Sequence, residues 1–209
     1  MKKLVSVLLV GLLLSSVSLT AKAEQEKGWH KGSYFLFGLG SMNNDKDTNV
    51  LNNRAFGSAN LLGYGLTFGW NFLDFLATEL QLRYATETVA GQKEHAANVD
   101  LLLKYSLILN TLTRWEKIQF LPYVKAGGGM YGAAVPDTSA GNNRFGVYGP
   151  AGVLAVGVET LLLKRFYVGA DFANHFVNLQ AKSNAAGQRI LNGGFDYQYS
   201  VFGYFGVHF

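Results

Sequence analysis

The stretch Leu61-Leu62-Gly63-Tyr64-Gly65-Leu66-Thr67-Phe68-Gly69-Trp70-Asn71-Phe72 alternates without a break. Successive side chains of an extended chain point to opposite sides. Leu62, Tyr64, Leu66, Phe68, Trp70 and Phe72 therefore share one face, and Gly63, Gly65, Thr67, Gly69 and Asn71 the other. A half-buried strand of a soluble protein shows such alternation over a few residues. A run this long, with every bulky group from Leu62 onward on one side, matches a strand that crosses a bilayer, which takes about 9–11 tilted residues. The small and polar face suits a narrow lumen.

Working outward, seven further segments repeat the period of two: 33–39, 76–86, 97–109, 121–131, 152–160, 166–176 and 195–209. Short connections follow the second, fourth and sixth strands, near 73–74, 110–119 and 163–165. Longer polar ones follow the first, third, fifth and seventh, at 41–60, 88–94, 135–149 and 178–194. Even strand number, short inner turns and longer outer loops are the pattern of a bacterial transmembrane barrel with both termini in the periplasm. The one helix-like apolar stretch, 147–163, contains Pro150, glycines and Glu159, which argues against a lipid-spanning helix. The expected fold is thus all-β, an eight-stranded antiparallel transmembrane barrel.

The rest of the chain fits that reading. Lys2 and Lys3 precede an apolar run over 4–14, and Ala21-Lys22-Ala23 closes the segment. This is the pattern of a secretory signal peptide. An N-terminal anchor helix would need about 20 apolar residues. Two units are expected: a cleaved signal at 1–23 and a barrel at 24–209. Removing the signal takes three positive charges from the formal +4 and leaves +1. The basic balance is therefore no sign of a nucleic-acid partner. The absence of Cys excludes a disulfide framework and a lipid-anchored N-terminal Cys. Charged residues make up 15% of the chain against about 25% in soluble domains, and the abundance of aromatic residues is unlike disorder. Phe72, Phe75, Trp115, Phe120, Phe166 and Phe209 fall at the expected periplasmic ends, and Tyr131, Phe145, Tyr148 and Phe195 near the outer ends. Two such girdles are expected at the bilayer interfaces.

Lipid offers the backbone no hydrogen bonds, so a spanning sheet must close on itself. Eight strands leave an interior that side chains can just fill. The charges expected inside are Glu79, Arg83, Asp100, Lys104, Lys125, Glu159 and Asp171. Four acids against three bases favour mutual pairing, since an unpaired buried ion costs several kcal/mol. A plugged polar core is the leading expectation, and a narrow water channel the alternative.

The segment Leu121-Pro122-Tyr123-Val124-Lys125-Ala126-Gly127-Gly128-Gly129-Met130-Tyr131 is similar to the Pro-Tyr-x-x-x-Gly-x-Gly strand of the small OmpA/OmpX-like outer-membrane barrels. The stretch 149–159 resembles their following Gly-rich strand. The C-terminal strand ends in Phe209 with Phe205 and Val207 at alternate positions, similar to the signal read by the outer-membrane assembly machinery; Tyr204 stands at the usual glycine position, beside Gly203. The resemblance implies a Gram-negative outer-membrane location. Its implied partners are membrane lipids, lipopolysaccharide and the assembly machinery. It implies no activity.

His30, His95, His175 and His208 share no metal-ligand spacing, and Gly127-Gly128-Gly129 lacks a following Gly-Lys-Ser/Thr. Outer-membrane lipid A deacylases are similar small barrels with a His-x-Ser-Asn motif. Here Asn174-His175-Phe176-Val177-Asn178 places Val177 where the serine should stand. No hydroxyl is then present to be activated, which disfavours that enzyme and leaves His175 as a residue of the rim. No catalytic, cofactor or metal residue is expected. The leading functional expectation is a non-enzymatic barrel with a structural or surface-interaction role. The alternatives are a narrow channel for small or lipophilic solutes and, disfavoured, a lipid A-modifying enzyme.

Overall fold

A computed structural model describes residues 31–44, 60–89, 92–109, 118–136, 144–163, 165–180, 182–183, 189–191 and 194–209. The expected signal segment and Trp115 lie outside them. Eight long strands follow the eight alternating segments: β1 (Gly32–Asn44), β2 (Asn60–Leu73), β3 (Leu76–Val89), β4 (Gln92–Ser106), β5 (Ile118–Pro136), β6 (Arg144–Leu162) and β7 (Phe166–Leu179), then, after a short hairpin of β8 (Lys182–Ser183) and β9 (Arg189–Leu191), β10 (Gly194–His208). All neighbours are antiparallel, and β1 pairs with β10 to close the barrel, Phe37 lying between Phe205 on one side and Leu66 on the other. The seam leaves no edge strand for lipid to meet.

The face assignment follows from that register. Leu62, Tyr64, Leu66, Phe68, Trp70 and Phe72 are all exposed on the outer wall. Asn71, Glu79, Gln81, Arg83, Asn98, Asp100 and Lys104 are buried in the lumen. Along β4 the outward side chains are Lys93, His95, Ala97, Val99, Leu101, Leu103 and Tyr105, with Leu107 just beyond. From Ala97 to Leu107 the chain advances about 33 Å. At a tilt near 40° this spans about 25 Å of height, the usual apolar band. Lys93 and His95 therefore stand at the outer headgroup level. No described helix is long and apolar enough to cross a membrane; the crossing is made by strands.

Three expectations are corrected. The segments 88–94 and 135–149 are not simply loops: Thr88 pairs with Lys93, and Pro136 with Arg144, so β5 and β6 each run 19 residues. The apolar alternation stops at the membrane edge because water can touch both faces beyond it. The backbone ladder continues while a neighbouring strand supplies partners. The connection 178–194 likewise contains the β8–β9 hairpin. Finally, Tyr131 is not part of the outer girdle. It is buried in the lumen, as its even spacing from Tyr123 and Lys125 requires.

The other aromatic positions follow the strand ends. Phe72, Phe120, Phe166 and Phe209 are exposed at the end with the tight 74–75 and 163–165 turns, and Tyr148 and Phe195 at the opposite end. Phe75 packs edge-on against Tyr105. The side chain of Phe145 lies outside the described set.

Candidate functional site

In such a barrel the lumen and outer rim are where chemistry could reside. The lumen is built in three layers. At mid-height β4 and β5 place Lys104 and Lys125 directly opposite each other, a pairing that repels on its own. Neighbouring strands supply the anions. Lys104 Nζ contacts Glu159 Oε1 of β6 at 2.5 Å and Glu79 Oε1 of β3 at 3.4 Å. Lys125 Nζ contacts Glu79 Oε2 at 2.7 Å and Asp171 Oδ2 of β7 at 3.3 Å. Arg83 Nη2 donates to both oxygens of Asp171 at 2.8 and 3.0 Å, and Nη1 donates to Ser200 Oγ at 2.7 Å. Three cations and three carboxylates thus form one connected, neutral network.

Tyrosines and an amide complete its hydrogen bonding. Tyr34 donates to Glu79 at 2.5 Å, Gln81 donates to the same carboxylate at 2.8 Å, and Tyr123 and Tyr204 share a hydrogen bond. Lys104 Nζ lies 4.9 Å from the ring centroids of Tyr34 and Tyr123, which adds cation–π attraction.

Apolar layers close the network above and below. On the outer side Met42, Leu61, Ala85, Ala96, Tyr131 and Val147 pack together with Val177 and Leu179. On the periplasmic side Tyr34, Leu36, Leu121, Tyr123, Leu161, Tyr167 and Tyr204 do the same. Between them lies a void of about 10 Å³, bordered by Gln81, Arg83, Lys125 and Asp171, with room for about one water. The glycine run of β5 serves this close packing. A Cβ at Gly127 would sit 2.1 Å from the Leu101 carbonyl oxygen, and one at Gly129 2.2 Å from that of Val99.

The seventh expected charge, Asp100, stands apart from the network. Its carboxylate accepts from His175 Nε2 at 3.0 Å and from the Asn98 amide. His175 is therefore a lumenal residue, 1% exposed, and not one of the rim. Alternation from Asp171 turns His175 inward. Val177, at the missing-serine position, lies in the outer apolar layer. With Nε2 donating to Asp100, the Asn98 amide 2.8 Å away is a neighbour rather than a second partner, and among the described residues no hydroxyl is hydrogen-bonded to His175. The described residues also contain no group of three or more His, Asp and Glu able to hold a metal ion.

At the outer rim, Glu87 and Glu94 face each other across the β3–β4 hairpin. Glu94 is buried, and both its carboxylate oxygens lack a hydrogen-bond partner. It lies beyond the apolar band. Burial, reinforced by the nearby Glu87 charge, raises its carboxyl to about 7. Reading 88–94 as a loop had hidden this residue; the parity of β4, carried two steps above Asn98, would have found it. At the opposite end Phe205 and Phe209 are exposed on the outer wall, with Val207 partly covered between them.

Neither a protein-family profile nor a curated protein matches the chain. Solved structures do. Neisserial surface protein A is 12% identical with a TM-score of 0.59, over 86% of this chain and 98% of that one. OprG of Pseudomonas aeruginosa is 17% identical with a TM-score of 0.54, over 86% and 97%. Ail, the attachment invasion locus protein of Yersinia pestis, is 10% identical with a TM-score of 0.52, over 86% and 99%. At such low identity the shared property is architecture. The chain has the fold of the small eight-stranded outer-membrane β-barrels.

Proposed function

We propose that this protein is a non-enzymatic barrel of the Gram-negative outer membrane that strengthens the envelope or presents its long outer loops for binding. The observation that carries the reading is the filling of the lumen among the described residues: a neutral ion network lies between two apolar layers, and the void beside it has room for about one water. A wall so filled works as a rigid post. Variable contacts then fall to the loops it holds above the membrane. Among the described residues no hydroxyl is hydrogen-bonded to His175, which supports the non-enzymatic part.

Recordings of the purified barrel in planar bilayers test the reading. The expected trace shows no stable unitary conductance. Reproducible single-channel openings would overturn the sealed-post interpretation in favour of a narrow channel. Expression of the chain should also leave the acylation of lipid A unchanged by mass spectrometry; loss of an acyl chain would restore an enzymatic role.

A further inference from the structure

The outer wall is not uniformly convex. Between β3 and β6 it is indented by an apolar groove of about 460 Å³. Its floor is formed by Ala97, Gly132 and Ala134, and its sides by Tyr84, Met130 and Tyr148. Register explains the shape: Ala97 lies beside Gly132, and His95 beside Ala134, so small outward residues adjoin on two strands. Most of the remaining wall carries Leu, Phe, Val and Trp, although Gly128 and Gly152 also adjoin.

The upper end of the groove has a different chemistry. His95 lines it, with Nδ1 hydrogen-bonded to Tyr84 Oη at 2.5 Å. That bond fixes the ring and leaves Nε2 without a protein partner among the described residues. Two residues higher on the same face stands Lys93, exposed. From His95 to Val99 the strand advances about 13 Å, or about 10 Å of depth at the expected tilt. A cationic end at headgroup level thus surmounts an apolar trough running down the outer leaflet.

We propose that this groove holds one phosphorylated lipid of the outer leaflet, of the lipid A type. An acyl chain lies against Ala97, Gly132 and Met130, and a phosphate meets Lys93 and His95. The inference depends on the loops facing outward. It does not depend on what the loops bind or on whether the lumen conducts.

The test uses the full-length barrel in detergent micelles, with native mass spectrometry counting retained lipid. The probes are diphosphoryl lipid A and its dephosphorylated form. Gly132→Leu fills the groove without backbone conflict, because a Cβ there meets nothing closer than 3.6 Å. Gly152→Leu adds the same bulk elsewhere on the wall, where a Cβ meets nothing within 4 Å. Lys93→Glu reverses the charge at the exposed end. Wild type and Gly152→Leu should each retain one diphosphoryl lipid A. Retention should fall roughly tenfold in Gly132→Leu and in Lys93→Glu, and likewise for the dephosphorylated probe. Unchanged retention in Gly132→Leu, or an equal loss in Gly152→Leu, would overturn the groove. Should Gly132→Leu fail to fold, indifference to both Lys93→Glu and phosphate removal would overturn the proposal by itself.

Discussion

Replacing Lys104 by methionine keeps most of the side-chain volume and removes one charge from the lumenal network. Glu79 would keep Lys125 at 2.7 Å, but Glu159 would lose its only cation among the described residues, at 2.5 Å, and retain the Tyr204 hydroxyl at 3.4 Å. Glu159 is 2% exposed, so water cannot take over. Stranding one member of a buried pair in this way costs about 3–5 kcal/mol. The second perturbation makes the argument sharp. Lys104→Met combined with Glu159→Gln leaves Arg83 and Lys125 against Glu79 and Asp171, again neutral, and should recover about 2 kcal/mol or more of the loss. Urea unfolding of the barrel in lipid vesicles, followed by the fluorescence of lipid-facing Trp70, supplies all four corners of the cycle. A Lys104→Met penalty below about 1 kcal/mol, or strictly additive single variants, would refute the view that ion pairing organises the lumen.

Other expectations concern the wall, the packing and the rim. Leu66→Arg, near mid-height on the lipid side, should cost about 2–4 kcal/mol in vesicle unfolding, and a neutral outcome would contradict the face assignment. Gly69→Ala puts a Cβ 2.1 Å from the Tyr34 ring and should destabilise by about 1–3 kcal/mol. Gly152→Ala, with open space around it, should be neutral or gain about 0.5–1 kcal/mol; equal penalties at the two sites would undo the packing argument. Glu94 has a carboxyl raised to about 7 in the folded barrel. Its folded form therefore holds its proton more tightly than the unfolded chain does. The associated stability is fully present below the ordinary carboxylate range and is lost as pH rises through 7. Glu94→Gln should flatten the pH dependence of the unfolding midpoint across that window, and an identical slope in both proteins would exclude Glu94 as its source.

Much of this molecule is written in a period of two. Leu62 to Phe72 alternate because one side must dissolve in lipid and the other must not, and that demand is local to each strand. The same parity turns Glu79, Arg83, Asp100, Lys104, Lys125, Glu159 and Asp171 to the inner face, where they are buried. Strand ends were harder to read. Beyond the apolar band the side chains of Thr88, Lys93 and Glu94 obey no solvent rule, while their backbones still pair across the hairpin.

Partners could not be read from one strand at all. Which carboxylate meets Lys104 depends on the stagger that brings β3, β4 and β6 to a common height, and parity is blind to stagger. His175 met Asp100 for the same reason. The lipid-facing groove is likewise a property of adjacency: Ala97 and Gly132 are unremarkable residues until registration sets them side by side. Alternation along the chain determined which way each side chain points, because that is fixed by the backbone of its own strand. Closure of the sheet decided which side chains touch, because height and neighbour around a cylinder exist only once the last strand has met the first.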